Sequence, residues 1–294
     1  MNLYKSLIFI LYLGIFLGSG FRTPAQSRDS ITLYGTLDTV QVIRQRIQHA
    51  NEANAGARVT HISPAILQAN KTRSLAELLT DHTSIYIKSL GTGALSTASF
   101  RGTSASQTRV NWNGINITPP LSGTFDFSQI PVFFTDNINL YYGSSHVKNG
   151  TGAIGGSVNL FTDTDWNRGV NGRVLAEYGS YNTYTVGGQA NISGNKSASK
   201  TRLYYQHSDN DYGFHKIYIP FREKRQDAAY SQFGIMQEGY FRVSPYTRLT
   251  AVAWYQKNHR NLPQPLGVVN RSQEDQEENN FRGYAGLDFS RGIM

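Results

Sequence analysis

From residue 170 to the end of the chain, apolar and polar side chains alternate with period two in six long segments, and this narrows the fold more than any other feature. Successive side chains of a strand point to opposite faces, so such alternation marks strands with one oily and one wet side. Val170, Gly172, Val174, Ala176 and Tyr178 share one face, and Asn171, Arg173 and Glu177 the other. Tyr184, Val186, Gly188, Ala190 and Ile192 oppose Thr183, Thr185, Gln189 and Asn191. A third, less regular segment covers 199–208. In the fourth, Phe233, Ile235, Phe241 and Val243 oppose Gln232, Glu238 and Arg242. The fifth spans 246–256, and in the sixth Phe281, Ala285, Leu287 and Phe289 oppose Arg282 and Asp288. A half-buried sheet in water shows the same alternation. Three details favour strands that cross a bilayer. The segments run about ten residues, the length of a tilted crossing. Tyr and Trp gather near their ends, as at membrane interfaces. Short turns at 179–181 and 193–198 alternate with long polar loops at 209–226 and 258–279.

Residues 1–25 read as a signal peptide: Lys5 precedes an apolar run over 7–17, small residues follow, and Ala25 marks the cleavage position. The run is too short for a membrane helix, which needs roughly 20 apolar residues. No later segment reaches that length, so any membrane crossing after export is made by strands. Aromatics reach 12% with 18 Tyr, charged residues only 16%, and there is no cysteine. Disulfides, zinc–thiolate sites and thiol nucleophiles are therefore excluded. The net charge of +8 is scattered, and its tightest group, Arg222, Lys224 and Arg225, includes Glu223 and follows Pro220. That is a solvated turn, and nucleic acid is not an expected partner.

The first half has another texture. Residues 26–57 are a polar opening with a short alternating island, Asp38, Thr39, Val40, Gln41, Val42 and Ile43, followed by a charged, flexible linker. Residues 58–165 read as a compact α+β unit. Strands are expected at 58–62, 84–88, 109–112, 138–142 and 158–161. A short helix starts at Ser63-Pro64. An amphipathic helix follows the capping box Ser74-x-x-Glu77. Residues 91–99 read as a small-residue loop and Asn113-Gly114 as a hairpin turn.

Gly150, Gly152 and Gly155 satisfy G-x-G-x-x-G, the dinucleotide pattern. That pattern needs a helix to follow, and the residues after Gly156 alternate like a strand. A glycine turn between strands is the better reading, and a nucleotide-dependent enzyme is set aside. The seven His are scattered, and no nucleophile motif points to catalysis.

The order of these parts resembles the TonB-dependent outer-membrane receptors, most closely the cobalamin receptor type, over roughly 38–294. The resemblance is carried by Phe100-Arg101-Gly102-Thr103-Ser104 with Asn113-Gly114-Ile115-Asn116. It continues in Phe127-Ser128-Gln129-Ile130-Pro131 and in Tyr142-Gly143-Ser144 through Gly152, Gly155, Gly156 and Leu160. It implies an α+β plug domain followed by antiparallel transmembrane β-barrel strands, about six of them, an incomplete barrel. It implies no enzyme activity and no resident cofactor, and residence in the outer membrane of a Gram-negative bacterium. Residues 26–57 would hold the TonB box at 38–43, an extended segment able to add as a strand to a TonB-type energy-coupling protein. Residues 166–294 would be the N-terminal part of the barrel, bathed in outer-membrane lipid. The glycines at 152, 155 and 156 would form the plug's last tight turn, where only small residues clear the barrel wall. The family usually has Asp at the place of Asn113 and Arg-Gly-Pro at the place of 142–144. That leaves Arg101 as the surviving basic member of a charge cluster between plug and barrel.

The resemblance places the plug loops 88–99 and 116–126 at the outward face of the lumen. Gly91, Gly93, Leu95, Ser96, Thr118, Pro119, Leu121, Ser122 and Thr124 then offer small hydrogen-bonding and apolar contacts to a large scarce nutrient, cobalamin or an iron–siderophore. A surface lipoprotein is a further implied partner. Asp209 and Asp211 are weak candidates for a calcium ion. A barrel of this family has about 22 strands, and six cannot close around a plug. The expectation is therefore an N-terminal piece that would not transport alone. The competing reading is a secreted β-rich binding or adhesion protein without energy coupling.

Overall fold

The computed structural model describes residues 58–143, 153–215, 221–263 and 274–289. The expected signal peptide, the island at 38–43 and Gly152 lie outside them. Within 58–161, five strands form one sheet: β1 (Arg58–His61), β4 (Thr108–Trp112), β5 (Ile115–Asn116), β6 (Asn137–Tyr142) and β7 (Gly156–Phe161), in the order β1-β6-β7-β4-β5. Only β4 and β7 pair in parallel. A separate hairpin joins β2 (Tyr86–Ser89) to β3 (Ser96–Ser99). Half of the segment read as a small-residue loop is thus a strand. Thr97 alone carries a β signal among Ser96, Thr97, Ala98 and Ser99, and pairing with β2 decides their conformation.

Two helices cover this unit. Helix α1 (Pro64–Ala69) starts with Pro64 in its first turn, and the Ser63 hydroxyl accepts from the Ile66 N–H. Helix α2 (Leu75–His82) has the expected capping box: the Ser74 hydroxyl accepts from the Glu77 N–H, and Glu77 accepts from the Ser74 N–H at 2.8 Å. It buries Leu75, Ala76, Leu78 and Leu79. The Asn113-Gly114 turn is a hairpin with both residues at positive φ. The Asn113 amide donates to the Thr162 hydroxyl at 2.9 Å and accepts from the Thr162 N–H at 2.9 Å. An aspartate there lacks the donor, which accounts physically for asparagine at this place.

The second half is a six-stranded antiparallel sheet in the order β15-β14-β13-β10-β9-β8. Its strands are β8 (Gly169–Gly179), β9 (Thr183–Ser193), β10 (Ser197–Ser208), β13 (Tyr230–Ser244), β14 (Thr247–Asn261) and β15 (Asp275–Phe289). A small hairpin, β11 (Gly213–His215) with β12 (Arg222–Lys224), interrupts the 209–229 connection. The last three strands are 15 residues long, longer than their oily stretches. The polar residues 258–261 and 275–279, read as loop, continue the ladder. Lys257 reaches Glu277 diagonally across the strands at 3.0 Å, and such opposite charges help hold a pair together. Antiparallel connection puts the short turn at 180–182 on the same end as the long loops 209–229 and 262–274. The turns at 194–196 and 245–246 lie at the other end.

The sheet is two-sided as the alternation demands. Val186, Ile192, Leu203, Phe233, Ile235, Phe241 and Leu249 are exposed on one face. On the other, Arg202, Tyr204, Met236, Glu238, Val252, Trp254 and Gln256 are buried under the α+β unit. One apolar core runs from Leu78, Phe100, Val110, Ile138 and Val158 through Phe133 and Phe134 into Tyr204, Met236 and Trp254 of the sheet. Trp112 and Trp254 meet across the junction with ring centres 5.3 Å apart. No helix among the described residues is long and apolar enough to cross a membrane.

Candidate functional site

The α+β unit is docked on the sheet's inner face in a one-sided manner: sheet side chains donate to main-chain carbonyls. Tyr204 donates to Thr72 O (3.0 Å), Asn210 to Thr92 O (3.0 Å) and Gln232 to Ser128 O (2.9 Å). Gln256 donates to Gln129 O (3.1 Å) and Arg202 to Phe133 O (3.0 Å). These carbonyls belong to turns and short 3-10 helices, where no ladder partner uses them.

Charges join the two parts at two places. Toward the short-turn end, the Asp136 carboxylate receives Lys200 at 3.0 Å, Arg202 and the Asp163 N–H. Lys200 also donates to the Asp163 carbonyl. Arg202 lies 3.1 Å from Glu238, both fully buried, with Arg202 Nε and Glu238 Oε1 off the line of a hydrogen bond. The Tyr240 hydroxyl donates to Glu238 at 2.6 Å and reaches Thr162 at 3.4 Å. Burial opposes the Asp136 charge, but Arg202, Lys200 and Lys71 outweigh it and hold the carboxyl well below the usual carboxylate range. Lys71 donates to Thr135 O at 2.6 Å, and burial pulls its ammonium down to about 8 despite Asp136. Toward the long-loop end, Asp126 pairs with Arg260 at 2.8 Å.

The charge cluster therefore exists with members other than the one expected. Arg101 is exposed at φ 49, in a turn closed by Thr103 N–H to Phe100 O at 2.9 Å, with its guanidinium 5.9 Å from the centre of the Tyr142 ring. Asp136, Lys200, Arg202, Glu238, Asp126 and Arg260 are the pairing residues, and no sequence motif marks them. For Lys200, Arg202 and Glu238 the only signal is polarity on the face of the sheet that the alternation turns inward.

The glycines also act differently from the expectation. A Cβ on Gly155 would fall inside the Thr103 side chain, and one on Gly156 would lie 2.5 Å from Tyr141 O and 2.7 Å from the Phe100 ring. Both make room for the plug's own core, not for the wall. Among the described residues of the plug, the glycine that clears the wall is Gly93, at φ +70 with the Tyr230 ring filling the space a side chain would take.

Of the expected contact residues, Gly91, Leu95, Leu121 and Ser122 are exposed, Leu121 fully. Gly93 and Thr124 are half-buried. Two turn inward. The Ser96 hydroxyl donates to Ser89 Oγ at 3.0 Å, and Thr118 Oγ accepts from the Val110 N–H at 3.2 Å. Gly91, Gly93 and Ser96 line a cavity of about 150 Å3 between α2, the β2–β3 hairpin and strands β10 and β13, with Arg73, Glu77 and Gln206. It sits toward the long-loop end. Asp209 accepts from Asn182 and His207, and Asp211 pairs with Lys224, so each carboxylate has side-chain partners of its own. No group of three metal-ligating side chains forms among the described residues.

A small α+β domain seated on the inner face of an antiparallel sheet that is oily outside defines a plugged transmembrane barrel, here with six strands and not closed. Residues 51–157 match the TonB-dependent Receptor Plug Domain. The chain is similar to the vitamin B12 transporter BtuB of Photobacterium profundum, 27% identical over 222 residues, 75% of this chain and 36% of the relative. It is 32% identical to that of Vibrio cholerae over 126 residues, 42% of this chain and 20% of the relative. Its fold matches the FpvA structure of Pseudomonas aeruginosa bound to pyoverdines, with TM-score 0.63 and 16% identity over 81% of this chain and 32% of that one. It also matches the ferric-catecholate import receptor Fiu of Escherichia coli, with TM-score 0.54 and 16% identity over 69% and 27%. The matches span between a fifth and about a third of the length of these proteins.

Proposed function

We propose that this chain serves as the plug and first barrel strands of an outer-membrane, TonB-dependent transporter of a large scarce nutrient, cobalamin or an iron–siderophore. The observation that carries the reading is the plug docked on the polar face of a sheet whose opposite face is oily. Such a sheet needs lipid outside and a filled lumen inside. In this reading the long-loop end faces outward, and the exposed plug residues Gly91, Leu95, Leu121 and Ser122 face the nutrient. Asp38 to Ile43 are the segment that a TonB-type partner captures as an added strand. The sequence similarity to vitamin B12 transporters favours cobalamin as the first nutrient to test.

The test is capture of the chain, folded in detergent, by the periplasmic domain of a TonB-type protein, with and without residues 38–43. Capture that is lost on deletion supports energy coupling. Capture that is absent from the start, or unchanged by the deletion, overturns it in favour of a binding protein without coupling.

A further inference from the structure

Asp126 sits where the turn between β2 and β3 meets the sheet. Its Oδ1 accepts from the Ser96 N–H (3.0 Å), the Ser128 N–H (3.1 Å) and the Ser128 hydroxyl (2.7 Å). Its Oδ2 accepts from Arg260 Nη1 at 2.8 Å, with side chains only 10% and 12% exposed. Arg260 belongs to β14 and lies opposite Tyr230 on one side and Gln276 on the other. Its Nε and Nη2 both donate to Gln276 Oε1, at 3.0 and 2.8 Å, while Nη1 also points at Gly93 O at 3.5 Å. One guanidinium thereby touches the plug's carboxylate, the plug's outward turn and the neighbouring strand. Beside it, Tyr230 packs on Gly93 and Asn210 holds Thr92 O.

We propose that Asp126 is the positioning residue of the outward turn 91–96, a role that rests on the turn facing the nutrient. One oxygen fixes the end of the turn inside the plug. The other ties it to the strand that carries the 262–274 loop. A charge-assisted hydrogen bond shielded from water is strong and geometrically narrow. Displacement of the loop-bearing strand is therefore passed to the turn, and displacement of the turn is passed back.

The test is amide hydrogen exchange on the full chain folded in detergent, without ligand or TonB partner, so its outcome is separate from that of the transport reading. The probes are Ser96, which donates to Asp126, and Ala94, whose N–H donates to Gly91 O at 3.1 Å. Asp126→Ala should speed exchange at both by roughly tenfold, the loss of a hydrogen bond to a charged group. Asp126→Asn keeps an oxygen for Ser96 and loses the charge facing Arg260. It should protect Ser96 near the wild-type level while Ala94 speeds up as much as in Arg260→Gln. The double variant Asp126→Asn with Arg260→Gln should add nothing further. The Asp163 amide, at the other charged contact, should be unchanged in every variant. The proposal is overturned if Asp126→Asn leaves Ala94 unchanged. Additive single substitutions, or acceleration that reaches Asp163, would overturn it equally.

Discussion

Replacing Asp136 by alanine should loosen the plug from the wall more than any other single charge removal. The carboxylate balances Lys200 and Arg202 at once, and Arg202 is 0% exposed. Without it, Arg202 keeps the Phe133 carbonyl and, as its only counter-charge, the poorly aligned Glu238, and Lys200 keeps a single carbonyl. Removing one partner of a buried ion pair costs about 3–5 kcal/mol, because the remaining charge stays desolvated. Asp136 is itself 23% exposed, so water can partly replace it and about 3 kcal/mol is expected. That is roughly a hundredfold in the docking equilibrium. Urea titration of the detergent-folded chain, followed by tryptophan fluorescence, reads the effect directly. Trp112 of the plug and Trp254 of the wall meet with tilted rings, centres 5.3 Å apart, and report their own separation. Trp166 is replaced by phenylalanine to remove its signal. Asp81→Ala is the comparison: its pair with Arg73 at 2.6 Å is solvent-exposed and worth at most about 1 kcal/mol. Adding Lys200→Met to Asp136→Ala should restore part of the loss by removing one stranded cation. If Asp136→Ala costs no more than Asp81→Ala, the cluster does not hold the plug. Because the Asp136 carboxyl titrates below its ordinary range when folded, its stabilisation is complete above that range. It is lost as pH falls through the depressed value.

Lys71 has a pH signature of the same sign in a more alkaline window. Its folded value of about 8 lies below the ordinary 10.5, so the unfolded chain binds the extra proton between them and stability rises with pH across that window. Lys71→Met should flatten this rise in urea midpoints measured from pH 7.5 to 10.5, and an unchanged slope would refute the assignment. Gly93→Ala should cost about 2 kcal/mol, from positive φ and collision with Tyr230. Adding Tyr230→Ala should recover only the collision, and full recovery would mean that the backbone is unstrained. Ile235→Lys places a charge midway along the oily face and should cost about 2–4 kcal/mol in lipid vesicles. Equal stability of this variant and wild type in lipid would refute a bilayer facing that side.

Local chemistry made much of the fold legible. Ser63-Pro64, the Ser74–Glu77 capping box and Asn113-Gly114 act through neighbours three or fewer residues away, and each forms as read. The alternation beyond Val170 told inside from outside because pleating leaves a side chain only two directions. Reading failed where a partner distant in sequence decided the outcome. Residues 96–99 became a strand by pairing with 86–89. Residues 258–261 and 275–279 stayed in the ladder by pairing their charges with each other. Arg101, part of a motif, proved peripheral, while Asp136 and Arg202, 66 residues apart and in no motif, meet at the junction.

The sequence by itself thus determined the two-part plan, the helix starts, the tight turns and the two faces of the wall. All of these follow from backbone preference and periodicity over a few residues. Only the tertiary structure decided which polar residues of the inner face became contacts, which glycines admit a neighbour, and that the wall grips the plug chiefly by its carbonyls. A charge or a carbonyl acquires its partner when distant segments are brought within about 3 Å, and no spacing along the chain records that distance.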